Sequence, residues 1–273
     1  MTDVDVNGAR LWCTTTGDQG PVLLFHHGYM GTHDIWLPAV ELLRDRYRCV
    51  LMDARGVGRS EHTEGGYEIE QVARDVLGVA DALGIDRFTY VGHSLGGAVG
   101  YLLGLDAPDR LERLVTVCSA PIGGARGPAP ALEAVKAAWR AGDADTLAAA
   151  LAAVQPRNLD LAEVAARAGR MVAVSAGHVD GLAASLADFD LTGRIGEMQV
   201  PTLVVSGAAD AAARVHLEDY ARLPNATLHV FSRVGHVPSI EAPEAFAEVL
   251  DDFLVHGVVT LATLRAKAAA ATA

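Results

Sequence analysis

The chain has 273 residues, 51% of them hydrophobic, and its 22 basic against 34 acidic side chains leave a formal charge of -12. That is enough apolar material for one large domain, or for a core carrying an insertion, and an acidic balance without any Lys/Arg cluster argues against a nucleic-acid partner. The opening "MTDVDVNGAR" lacks the basic and apolar regions of a secretory signal, and no apolar run reaches the roughly 20 residues that span a bilayer, so no membrane partner is expected.

In chain order, "DVDVNGARLWCTT" (3 to 15) reads as an antiparallel hairpin around Asn7-Gly8, a dipeptide that readily takes the positive φ angles of a tight turn. Short β-type runs follow at 21 to 27, 47 to 53, 87 to 93, 114 to 119, 201 to 207 and 226 to 232. They are almost continuously apolar, as strands of a parallel sheet covered on both faces are. Between them, helical patterns occupy 36 to 46, 68 to 84, 95 to 106, 212 to 222 and 242 to 256, and this alternation predicts a three-layer α/β domain. The rhythm breaks between 120 and 200. There "APIGGARGPAP" (120 to 130) leads into alanine-rich helical stretches at 131 to 141, 143 to 154, 159 to 175 and 178 to 188, with no strand pattern. The expected division is therefore a core of 1-120 and 196-273 with a helical cap at 121-195, over the sheet edge where open α/β sheets bind ligands; a peripheral helical decoration is the alternative. The tail, 257 to 273, is either a frayed helix or an oligomer contact, which leaves a homodimer open. Cys13, Cys49 and Cys118 lie in or beside apolar stretches without metal-type spacing, and they read as reduced core thiols of a cytoplasmic protein.

Chemistry concentrates at "YVGHSLGGAVG" (90 to 100). Ser94 falls at the junction of a predicted strand and a predicted helix, where a sharp turn needs small residues two before and two after; Gly92 and Gly96 supply them. Gly97, Ala98 and Gly100 extend the small surface for close helix packing. The plain alternative, a glycine-rich turn with an incidental hydroxyl, is weakened by that context. A nucleophilic serine needs a base, and the base needs an acid to orient it. His236 lies on a loop beyond the last strand, at the same sheet edge as Ser94. His229 falls in a strand and His216 and His256 in helices, as packing or surface residues; His93 is expected to point away from the hydroxyl by strand alternation. Two carboxylates follow strands at this edge, Asp210 and Asp53. The oxyanion of an acyl-transfer intermediate needs N–H donors, for which the Leu95 amide and the Tyr29 amide are the candidates, with Met30 in reserve. His26 and His27 are read as braces of that loop.

These features together resemble the α/β-hydrolase superfamily over nearly the whole chain. "HHGYMGTHDIW" resembles its oxyanion loop, "DARGVGRSE" its D-x-R-G-x-G-x-S loop, "GHSLGG" its nucleophile elbow, "VSGAAD" its acid loop and "VGHVPSIEAPEAF" its histidine loop. The resemblance implies a mostly parallel sheet of about eight strands with a cap after the sixth, and a mechanism that needs neither metal nor organic cofactor. It assigns the nucleophile to Ser94, the acid to Asp210 and the base to His236. Asp53 is left as a loop organiser pairing locally with Arg55 or Arg59. Fold does not fix substrate, but a serine at 94 argues against the relatives that need a carboxylate nucleophile. The leading expectation is hydrolysis of a carboxylic ester or lactone on a small-molecule substrate. Trp36, Trp139, Met171, His178, Phe189 and Val237 are the candidate pocket residues. Cleavage of a C–C bond in a β-diketone or ring-cleavage product would reuse the same triad and would call on Arg126, Arg157, Arg167 or Arg170 for an anion. Perhydrolysis would be a side activity. A non-catalytic binding protein on the same fold is the reading of another class, against which the complete Ser94, Asp210 and His236 set argues.

Overall fold

Alternate residues of each central strand feed two separate cores, which is why these strands are mostly apolar. In β4 (Arg48–Met52), Val50 and Met52 join one cluster while Cys49 and Leu51 join the other. The same division holds in β3 (Val22–His26), β5 (Phe88–His93), β6 (Leu111–Val117) and β7 (Thr202–Gly207). Each buried Val, Leu or Phe adds roughly 1.5 to 3 kcal/mol of apolar transfer energy.

The computed structural model describes residues 2–125 and 129–271. Arg126 lies outside the described residues. With β1 (Thr2–Val6), β2 (Ala9–Thr16) and β8 (Ala226–Phe231) the sheet has eight strands in the order β1-β2-β4-β3-β5-β6-β7-β8. The β1–β2 and β2–β4 pairings are antiparallel and all others parallel. Asn7 and Gly8, both at positive φ, turn the opening hairpin. On one face lie α2 (Ile69–Ala82) and α3 (Leu95–Asp106), whose apolar residues fill the larger core; on the other, α1 (Leu37–Leu43) and the helix at Pro243–His256 fill the second. The sheet order and flanking helices are those of the α/β-hydrolase fold.

After β6 the chain leaves the sheet. It forms α4 (Pro130–Ala141), α5 (Ala144–Ala153), α6 (Leu161–Val172), a π-turn at Gly177–Gly181 and α7 (Leu182–Asp188) before returning to β7. The starts of α5 and α6 follow from side-chain caps: Asp143 accepts from the Thr146 amide, and Asp160 from the amides of Ala162 and Glu163. These helices have their own small apolar cluster, which includes Met30, Val57, Leu147, Met171 and Val179, so they pack on the loops at the strand ends. Then come α8 (Ala213–Tyr220), the short α9 (Pro238–Glu241), α10 (Pro243–His256) and α11 (Leu261–Ala271), and the last buries none of its residues. Helix α9 and the start of β6 at Leu111 were not anticipated, the first being a single turn and the second masked by Glu112 and Arg113. Cys13, Cys49 and Cys118 are buried free thiols. No helix among the described residues is long and apolar enough to cross a membrane.

Candidate active site

Ser94 occupies the turn between β5 and α3 at φ 52, ψ -114, a conformation that only a tightly determined turn holds in place. The crowding explains its neighbours. A side chain on Gly92 would meet the Gly96 carbonyl, and one on Gly96 would come within 2.7 Å of His26 Nδ1. Two residues at the junction of β6 and the inserted segment complete the turn, since the Ser94 amide donates to Val117 and the Ala120 amide to Ser94.

Asp210 lies just beyond β7 and His236 just beyond β8. Their side chains meet at 2.7 Å between His236 Nδ1 and Asp210 Oδ2. Burial works against ionising Asp210, but the hydrogen bond and charge of His236, with the Ala212 amide, outweigh it and hold the carboxyl well below the usual range. A carboxylate so placed can fix the imidazole tautomer and stabilise an imidazolium. Ser94 and His236 both line one cavity of about 90 Å³, together with Tyr29, Met30, Met171 and Val237. Among the described residues no hydrogen bond joins Ser94 Oγ to His236, a looseness common in enzymes without substrate.

Among the described residues the Tyr29 and Leu95 amides have no hydrogen-bond partner, whereas the Met30 amide donates to His178 Nε2 at 3.2 Å. Met30 is therefore already engaged, and Tyr29 and Leu95 are the open donors. His178 is a brace that the sequence did not reveal: its Nδ1 bonds the Arg55 carbonyl at 3.0 Å, tying the Tyr29 loop to the loop after β4. Burial pushes its pKa down to about 3, so it stays neutral and can accept from Met30. His27 makes a parallel tie, through Gly28 O and the Ala54 amide. His26, expected as a second brace, has no hydrogen bond to either ring nitrogen and only stacks between His27 and Tyr90.

Other expectations need correction. Trp36 is packed between Phe25 and Phe246 beneath the sheet edge, Trp139 donates to the Val174 carbonyl within the inserted helices, and Phe189 joins the larger core; with His178, none of them lines the cavity. Large aromatic residues were simply consumed by packing. Asp53 accepts from His33, through its amide and Nδ1, and from the Arg59 amide. Arg55 instead makes a buried bidentate pair with Asp75. His93 does not point away: Ser94's positive φ interrupts the alternation, and His93 Nε2 reaches the His236 carbonyl at 2.8 Å, its ring 4.7 Å from that of His236. Glu241, unmarked by any pattern, is fully buried and accepts from the Gly235 and Val237 amides on either side of His236. Cys118, Asp210 and His236 bring ligand-type atoms within 4.8 Å of one another. Burial, however, pushes the Cys118 thiol far up, so it stays protonated and is a poor metal ligand.

The fold and this strand-end constellation define a hydrolase of the α/β class. The sequence model described as "alpha/beta hydrolase fold" matches residues 21–243, and the chain belongs to that family. It is 32% identical over 240 residues to a protein of Caulobacter sp. (strain K31) whose assigned name is carbamate hydrolase RutD, covering 83% of this chain and 88% of that one. It is 26% identical over 238 residues to 3-oxoadipate enol-lactonase 2 of Acinetobacter baylyi, covering 85% and 87%. Among solved structures, the enol-lactonase from Burkholderia xenovorans LB400 superposes with a TM-score of 0.83 at 26% identity, covering 93% of this chain and all of that one.

Proposed function

We propose that the protein is a serine hydrolase that cleaves a carboxylic ester or lactone through an acyl-enzyme on Ser94. The observation that carries this reading is the 2.7 Å His236–Asp210 pair opening onto the same cavity as the strained serine. His236 accepts the Ser94 proton as Oγ attacks the carbonyl carbon, and Asp210 stabilises the imidazolium that results. The open Tyr29 and Leu95 amides receive the oxyanion. His236 then gives its proton to the leaving alcohol, and a water deprotonated by His236 releases the acid. The helices between β6 and β7 act as a cap, since Leu151, Val154, Arg167, Arg170 and Met171 enter the cavity from them.

The lactonase names among the relatives support the lactone form of this reading. The name of the 32% identical relative favours a second one, in which the same serine attacks the carbonyl of a carbamate. Acid release followed in a pH-stat for methyl butyrate and γ-butyrolactone, with amine release from a methyl carbamate, separates the two. Turnover of the ester or lactone, lost at least about 1000-fold in Ser94→Ala with an unchanged Tm, is the expected result; a Ser94→Ala variant as active as wild type would overturn the assignment.

A further inference from the structure

Two arginines of α6 reach the cavity, and their surroundings differ. Arg170 is neutralised twice, with Nε 3.0 Å from Asp34 Oδ2 and Nη2 2.8 Å from Glu163 Oε1. Arg167, one turn earlier, has no carboxylate within ion-pair distance among the described residues. Its one hydrogen bond runs from Nη1 to the amide oxygen of Gln155, at 3.0 Å. Gln155 is itself buried, and its amide nitrogen is used by the Leu151 carbonyl. A neutral amide can accept one N–H, but it cannot cancel a charge, and a guanidinium offers five donors in a planar fork.

Much of the wall of the cavity that Arg167 enters is apolar, with Ile35, Leu151, Val154, Met171 and Val237 among its lining residues. Burial makes the charged state of Arg167 less favourable than usual, and the more distant charges of Glu163 and Asp34, both already paired with Arg170, only partly offset this. Burial and the neighbouring His236 chiefly lower the pKa of His93, the residue next to Ser94, and the charge of Arg167 adds to this from across the cavity. A guanidinium with no carboxylate at ion-pair distance, in the wall of the cavity that also holds Ser94, is an incomplete ion pair. Its natural complement is the flat bidentate face of a carboxylate.

We propose that Arg167 is the anion-binding subsite of this cavity and that the substrate is a short ester or lactone bearing a free carboxylate. This rests on the reading of Ser94 as the nucleophile. The carboxylate docks on the free guanidinium edge, the connecting carbons lie against Met171 and Val237, and the scissile carbonyl is presented to Ser94. Arg170, already paired, shapes the wall and leaves the anion to its neighbour. A cavity of about 90 Å³ suits a chain of only a few atoms between the two groups.

Monomethyl succinate and methyl pentanoate are matched probes, one ending in a carboxylate and the other in an ethyl group. The wild type should prefer monomethyl succinate, and the ratio of the two kcat/KM values should fall about 100-fold in Arg167→Gln, chiefly through KM, with a smaller fall in Arg167→Lys, which keeps the charge but loses the fork. An equal loss on both esters, or a wild type that prefers methyl pentanoate, would overturn the proposal. If neither ester is turned over, the hydrolytic reading fails separately. Calorimetric titration of Ser94→Ala with monomethyl succinate then decides: binding that disappears when Arg167→Gln is added upholds the subsite, and no binding overturns it.

Discussion

Ser94 holds a positive φ that a serine adopts only at a cost of about 1 to 3 kcal/mol, and the surrounding turn is built to meet it. The amide and carbonyl of Ser94 are both fixed to the neighbouring strand end, so the strain is borne by backbone bonds and the hydroxyl is left facing the cavity. The Asp210–His236 pair depends on the acceptor character of one carboxylate oxygen. Asp210→Asn preserves shape but lets the side chain offer N–H to Nδ1, which traps the opposite imidazole tautomer. Turnover should fall by about 10³ to 10⁴ in kcat while Tm and KM change little. A drop of less than tenfold, measured by steady-state kinetics beside thermal unfolding, would place the acid elsewhere.

At the scale of elements, how much could be read in advance depended on where the information resides. The hairpin, the central strands and the helices beside them follow from local pattern, because Asn7-Gly8 sets its own turn and the apolar runs have no other stable place than a covered sheet. Ser94, Asp210 and His236 were legible as residues at strand ends, since topology alone gathers those ends at one edge. What local pattern missed are the contacts made across loops distant in sequence. Glu241 clamps the amides flanking His236, and His178 reaches from the inserted helices to the Met30 amide. Neither residue has a neighbour in sequence that announces this. Of the candidate wall residues Met171 and Val237 line the cavity, whereas Trp36, Trp139 and Phe189 have the size to line a pocket but are worth more in packing.

Across the whole molecule, a set of buried histidines ties stability to pH. His26, His27, His93, His178 and His216 all lie within the fold, and desolvation lowers the pKa of each. Each stays neutral when folded but takes up a proton when unfolded below the ordinary histidine value. Their contribution is thus complete above about pH 6.5 and is lost as the pH falls below it, by up to about 1.4 kcal/mol per pH unit for each histidine. For His178 that loss continues down to about pH 3. The urea midpoint should therefore drop steeply between pH 7 and pH 5, and His178→Gln should reduce the slope by one proton. A midpoint that stays level over this range would contradict the account. Asp210 acts lower on the scale, since its depressed pKa keeps its contribution until far more acid conditions.

The direct measurement of the central claim is covalent. A fluorophosphonate is attacked at phosphorus by an activated serine Oγ and loses fluoride, leaving a stable adduct. Intact-mass analysis of the folded wild type should show a single adduct, mapped by peptide sequencing to Ser94 and absent from Ser94→Ala and from urea-unfolded protein. A folded wild type that remains unlabelled, or that is labelled at another residue, would contradict the assignment of Ser94 as the nucleophile.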